Sequence, residues 1–308
     1  MAAVEGKAEE DEVTVPGAGH RAAVDELERF VQSDPASGPA WGRLGRVYQD
    51  EGAHELARAA FEQAVRFCPA TAPFWYGLGR ARLATGDGQG ALAAARRTVE
   101  LAPAEAEARL LLARALGGLG FTRQAILHLE EALRLDPRWP TPLADLGWAY
   151  AALGDWGAAA EAFEAALRIE PDLLALWSAL GRCLLARGRP AEAVHVLETA
   201  VFAVPADGVA WARLGCAYFE TGRHAEAARA FARSLERGGD EPWVWYWAGQ
   251  NAAALGDGEG LERARRELKQ RDSDLARDLE ARVQAHAAKA GARPAVEPEG
   301  KNAGGPSC

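Results

Sequence analysis

The stretch WGRLGRVYQDEGAHELARAAFEQAVRFCP, Trp41 to Pro69, decides the fold. Trp41, Leu44, Gly45 and Tyr48 stand at i, i+3, i+4 and i+7, one apolar stripe on a helix of 3.6 residues per turn. Ala57, Phe61 and Ala64 form a second stripe. Gly52 lies between them and supplies a left-handed or otherwise permissive conformation that would cost another residue about 1–2 kcal/mol. Pro69 stops the second helix. The stretch therefore predicts a helical hairpin, with Gly45 and Ala57 small enough for close approach and Trp41 and Phe61 filling the space toward neighbouring units.

Working outward, the hairpin repeats. Steps of 34 residues from Pro69 reach Pro103, Pro137, Pro171 and Pro205, and one step back reaches Pro35. The same step from Gly52 reaches Gly86, Gly120, Gly154, Gly188, Gly222 and Gly256 without exception. A fixed period of this length means a tandem array, each unit burying its apolar face on the next. The second unit has Arg82 in place of Tyr48 and Ala95 in place of Phe61, and is expected to pack less tightly; the third has Arg109 in place of the Trp.

The spacing of Trp, Leu-Gly, Tyr, Ala, Phe and Pro resembles the tetratricopeptide repeat (TPR) family over roughly residues 18 to 270. That resemblance implies an all-α, right-handed solenoid of helix-turn-helix repeats. The expected organisation is an acidic, disordered tail (1–17), an N-terminal half-repeat helix (18–37) and six repeats at 38–71, 72–105, 106–139, 140–173, 174–207 and 208–241. A degenerate seventh repeat (242–271), a capping helix (272–289) and a flexible tail (290–308) complete it.

Composition narrows the function classes. A net charge of −9 argues against general attraction to nucleic acid or to anionic lipid, and no apolar run approaches a membrane span. Cys68, Cys183, Cys216 and Cys308 are widely separated, form no metal-ligand pair, and are expected to be idle thiols in a reducing compartment, with the cytoplasm as default. His54-Glu55 opens like a zinc-protease helix but Arg58 stands where the second His is required. Gly86-Asp87-Gly88-Gln89-Gly90 and Gly256-Asp257-Gly258-Glu259-Gly260 sit in hairpin turns, follow no strand and lack the Lys of a phosphate loop. No catalytic residue, metal site or cofactor is expected, and the chain is read as no enzyme.

The face of the first helix opposite the stripe carries Pro39, Arg43, Arg46 and Asp50. In proteins resembling this family that side lines a concave wall that holds a partner's peptide. The position after Leu-Gly reads Arg46, Arg80, Arg114, Trp148, Arg182, Cys216 and Gln250. Adjacent positions are mostly small or apolar, among them Gly77, Leu111, Ala152 and Ala179, with Arg213 an exception, and the last unit adds Trp243, Tyr246 and Trp247. Aromatic and Arg anchors are what interface hot spots are made of. The expected protein-binding set is Arg43, Arg46, Arg80, Arg114, Trp148, Arg182, Arg213, Trp243, Tyr246 and Trp247, gripping an acidic segment with apolar anchors from another protein. The resulting reading is a scaffold or adaptor. A self-assembling structural protein, with homo-oligomers, or a secretion or assembly chaperone stays open beside it. The Lys and Asn set with which TPR co-chaperones grip a C-terminal carboxylate is missing, since Gly42, Arg46 and Gly77 occupy those places.

Overall fold

The computed structural model describes residues 18–291, with side chains from Val24 to Ala285; the predicted tail 1–17 and all of the predicted tail 290–308 but its first two residues lie outside the described residues. Among the described residues there are sixteen helices and no strand. In order they are α1 (Ala18–Ser33), α2 (Gly38–Asp50), α3 (His54–Phe67), α4 (Ala72–Ala84), α5 (Gly88–Leu101), α6 (Ala106–Gly118), α7 (Thr122–Leu135) and α8 (Pro140–Ala152). They continue with α9 (Trp156–Ile169), α10 (Leu174–Ala186), α11 (Pro190–Ala203), α12 (Gly208–Glu220), α13 (His224–Glu236), α14 (Pro242–Leu255), α15 (Gly258–Arg271) and α16 (Ser273–Gly291). First helices begin at residues 38, 72, 106, 140, 174, 208 and 242, so the 34-residue step of the sequence is a step of the fold. The architecture is an all-α repeat solenoid. It falls into two compact units that divide between Asp136 and Pro137.

Local chemistry explains each hairpin. The turn glycines adopt positive φ, +73° at Gly52 and +71° at Gly256, where a side chain would be strained. Phe61, 1% exposed, is held between glycines of successive first helices: a Cβ on Gly45 would lie 3.0 Å, and one on Gly77 2.4 Å, from its ring. Phe163 against Gly147, Leu197 against Gly181 and Phe231 against Gly215 repeat the arrangement in the second unit.

Two hydrogen bonds recur with the period. The indole N–H of Trp41 donates to the Pro35 carbonyl at 2.9 Å, Trp75 to Pro69 at 2.8 Å, and Trp177 and Trp211 to Pro171 and Pro205 at 3.0 Å, tying α2, α4, α10 and α12 to the chain just after α1, α3, α9 and α11. The second links residues 20 apart: the hydroxyls of Tyr48 and Tyr218 donate to Glu28 and Glu198. Arg82 takes over that role, reaching Glu62 at 3.0 Å and the Gly90 carbonyl at 3.1 Å, so replacing Tyr here substitutes an ion pair for a phenol bond and does not simply loosen the unit. In the third repeat Arg109 stands in place of the Trp and pairs with Glu131 at 2.9 Å.

The second unit closes on α16. Asp272 caps it, accepting from the backbone N–H of Asp274 and Leu275 at 3.0 Å. Leu279, wholly buried, packs with Tyr246, Ala264 and Leu268. Trp245 differs from its counterparts: Gly239 replaces the Pro six residues earlier, and its indole N–H is buried without a partner.

Candidate functional site

The period brings Arg46, Arg80 and Arg114 to equivalent positions on α2, α4 and α6 of the first unit, and all three are exposed. Pro39, Arg43 and Asp50 are exposed on the same helix as Arg46. Among the described residues, Arg43, Arg46 and Arg80 make no ion pair with a carboxylate, Asp50 included; the Arg80 guanidinium lies 5.9 Å from the Tyr76 ring centre. Cations that are neither paired nor buried retain their full capacity to bind a carboxylate, in bidentate fashion when geometry allows.

The second unit is different at the same positions. Trp148 is 45% exposed, with its ring edge-on to Phe163 at 5.0 Å. Arg182 is half-buried, its guanidinium 5.1 Å from the Trp156 ring and its Nε–H buried without a partner. Cys216 is wholly buried, and Cys68 and Cys183 are free thiols. Burial pushes the Cys183 thiol up, opposed by the positive fields of Arg182, Arg213 and Arg187.

Several expected site residues are corrected. Arg213 points into the stack: its Nη1 donates to the Ser178 hydroxyl at 2.7 Å. Burial, with the like charge of Arg182 adding to it, lowers the Arg213 guanidinium from its ordinary value to about 10, so it remains charged at neutral pH; the side chain is half-buried. Tyr246 is wholly buried, and its hydroxyl donates to the Asp278 carboxylate on α16. Burial and that carboxylate push its phenol pKa up. Trp247 meets Phe219 at 5.5 Å and Tyr246 at 5.8 Å, and Trp243 packs on the core of the second unit. The aromatic excess of the last repeat thus serves packing at the end of the array. Gly77, Leu111 and Ala179, expected on an open floor, are buried, Gly77 beneath the Phe61 ring of the preceding repeat; Ala152 is exposed.

The glycine-rich turns have a structural explanation. Asp87 Oδ1 accepts from the Gly90 N–H at 2.9 Å and Asp257 Oδ1 from Gly260 at 3.0 Å, capping α5 and α15. Among the described residues no three His, Cys, Asp or Glu side chains come together as a metal site, and no helix is long and apolar enough to cross a membrane.

Sequence reasoning missed the outer side of the second unit. Phe202 on α11 is 86% exposed, beside a cavity of about 550 Å³ between α11 and α13. The signal was available: at the same register, the four preceding periods carry Arg66, Glu100, Arg134 and Arg168 and the following one Glu236, all charged.

Comparison with known proteins agrees with this geometry. Tetratricopeptide repeat models match residues 38–71, 76–137, 110–173, 150–215 and 208–239. No curated protein matches the sequence. Among solved structures, the chain is similar to Pseudomonas aeruginosa pilF, with a TM-score of 0.60 and 18% identity, covering 68% of this chain and 97% of that one. It is similar to the APC/C hetero-tetramer Cut9-Hcn1 at a TM-score of 0.59 and 19% identity, over 80% of this chain but 46% of that one. It also resembles YrrB, described as a TPR protein with an unusual peptide-binding site, at a TM-score of 0.50 and 16% identity, over 61% and 96% of the respective chains. At these identities the likeness is one of fold.

Proposed function

The chain belongs to the tetratricopeptide repeat family, and from that premise we propose that it is a non-catalytic protein-interaction scaffold that holds an acidic, apolar-anchored segment of another protein on the first-helix face of its first unit. The observation that carries the reading is the exposure of Arg43, Arg46 and Arg80 on successive first helices, with no carboxylate of the described residues paired to them. In a chain of net charge −9, three uncompensated cations on one face leave a local positive field that favours an acidic partner. Arg114 extends the row by one repeat. The proposed binding set is therefore Arg43, Arg46, Arg80 and Arg114.

Affinity capture with the purified full chain, read by mass spectrometry, tests this against Arg46→Glu/Arg80→Glu. Loss of the captured proteins with an unchanged melting temperature is expected, since both side chains are exposed. Undiminished capture by the double variant would overturn the assignment of the face.

A further inference from the structure

Within the second unit, α13, α14 and α15 enclose a cavity of about 370 Å³, with Phe231, Leu235 and Trp245 among its walls. Along its lining the sequence departs from its own period three times. Earlier first helices place a buried Leu at one position, Leu44, Leu78, Leu112, Leu146, Leu180 and Leu214; α14 has Ala248 there. Four residues on, where Tyr48, Tyr150 and Tyr218 stand, α14 has Ala252. The carboxylate that accepts from the tyrosine hydroxyl, Glu28 for Tyr48 and Glu198 for Tyr218, is replaced on α13 by Ala232. All three alanines line the cavity, so the Leu and both halves of the Tyr-Glu tie are missing at one junction.

The polar groups around the cavity leave one donor over. Asn251 is occupied: its amide donates to the His224 carbonyl at 3.0 Å, and its Oδ1 lies 3.1 Å from the His224 ring. At the rim, Asp257 accepts from the Gly260 N–H, Glu236 pairs with Arg237 at 3.2 Å, and Arg263 lies 5.2 Å from the Trp245 ring centre. Trp245 itself is 6% exposed, and its indole N–H has no acceptor. The carbonyl six residues before it, which takes the indole N–H in other repeats, belongs here to Gly239 and accepts from the Ser234 hydroxyl at 3.3 Å.

We propose that this cavity binds a small, neutral molecule of the phenol class. Its ring lies over Ala248 and Ala252 in place of the missing Leu and Tyr side chains, and its oxygen accepts the Trp245 N–H. The rim charges are already engaged, which favours a neutral ligand over an ionic one. The volume is near the lower end for ligand sites and suits a single ring with few substituents. This inference is independent of the first-helix face proposed above.

The test titrates 4-methylphenol into the full chain, followed by ligand-detected NMR. Saturable binding is expected, weakened about tenfold or more by Ala248→Leu and by Ala252→Tyr, each of which refills the cavity. Toluene, which lacks the oxygen, should bind about fivefold more weakly, and Trp245→Phe should abolish that difference. Phe202→Ala, on α11, should leave binding unchanged. Thermal melting of the two refilled variants controls for folding, and Trp245→Phe tests the site without refilling it. Absence of saturable binding overturns the proposal, as does binding undiminished in both refilled variants. A preference for 4-methylphenol over toluene that survives Trp245→Phe overturns it too, and loss with Phe202→Ala does so by moving the ligand to the space between α11 and α13.

Discussion

In the unit that ends at Asp136, the position after Leu-Gly or its equivalent carries Arg46, Arg80 and Arg114, all exposed; in the unit that begins at Pro137 it carries Trp148, Arg182, Cys216 and Gln250. Both units use the same packing device, an aromatic or Leu side chain seated on a first-helix glycine. In the second unit, however, Arg182 lies over Trp156 and Arg213 donates to Ser178. Identical scaffolding thus leaves the face free to vary, because the buried stripe and the exposed positions are different residues of each helix. An Arg stays exposed in one unit and packs in the other according to what stands within reach of its guanidinium.

The comparison is most severely tested in the shared core. Phe61→Ala and Phe163→Ala remove equivalent buried rings, and each is expected to cost about 3–5 kcal/mol in urea unfolding. A cost below about 1 kcal/mol at either site would break the claim of a common device. Next in size, Tyr246→Phe deletes the bond to Asp278 and should destabilise the second unit by about 1.5 kcal/mol or more, read as earlier hydrogen exchange in α14 and α16. Among the arginines, Arg182→Ala should cost about 1 kcal/mol through lost stacking on Trp156, whereas Arg46→Ala should leave the unfolding midpoint unchanged.

Smaller effects sharpen the picture. Trp75→Phe loses the bond to the Pro69 carbonyl, while Trp245→Phe loses an N–H that has no partner. The first should therefore be the more destabilising by about 1 kcal/mol, measured by thermal melting. The smallest is a pH effect in the first unit. Burial acts to raise the Glu131 carboxyl, but its bond with His128 and the charge of Arg109 outweigh this and hold it below its ordinary value of 4.5. A depressed carboxylate contributes stability above its unfolded value, and that contribution is lost as pH falls through the folded value. Glu131→Gln should accordingly flatten the decline in melting temperature below about pH 4.5 without changing its direction.

The hairpins were legible in the sequence because each depends on local spacing: a stripe at helical period, a turn glycine, a closing proline. Exposure of Arg46 and Arg80 followed from the same spacing, being opposite the buried stripe. Arg213 and Tyr246 were misread because their fates depend on Ser178, 35 residues away, and on Asp278, 32 residues away. Gly77 was misread because the ring that covers it, Phe61, comes from the preceding repeat.

By itself the sequence determined that this protein is a repeat of helical hairpins, since a 34-residue period fixes which residues each unit must bury on its neighbours. Only the tertiary structure decided which of the remaining charged and aromatic side chains stay available. That outcome turns on long side chains from other helices, whose reach spans a neighbouring repeat and whose partners no periodicity within one helix reveals.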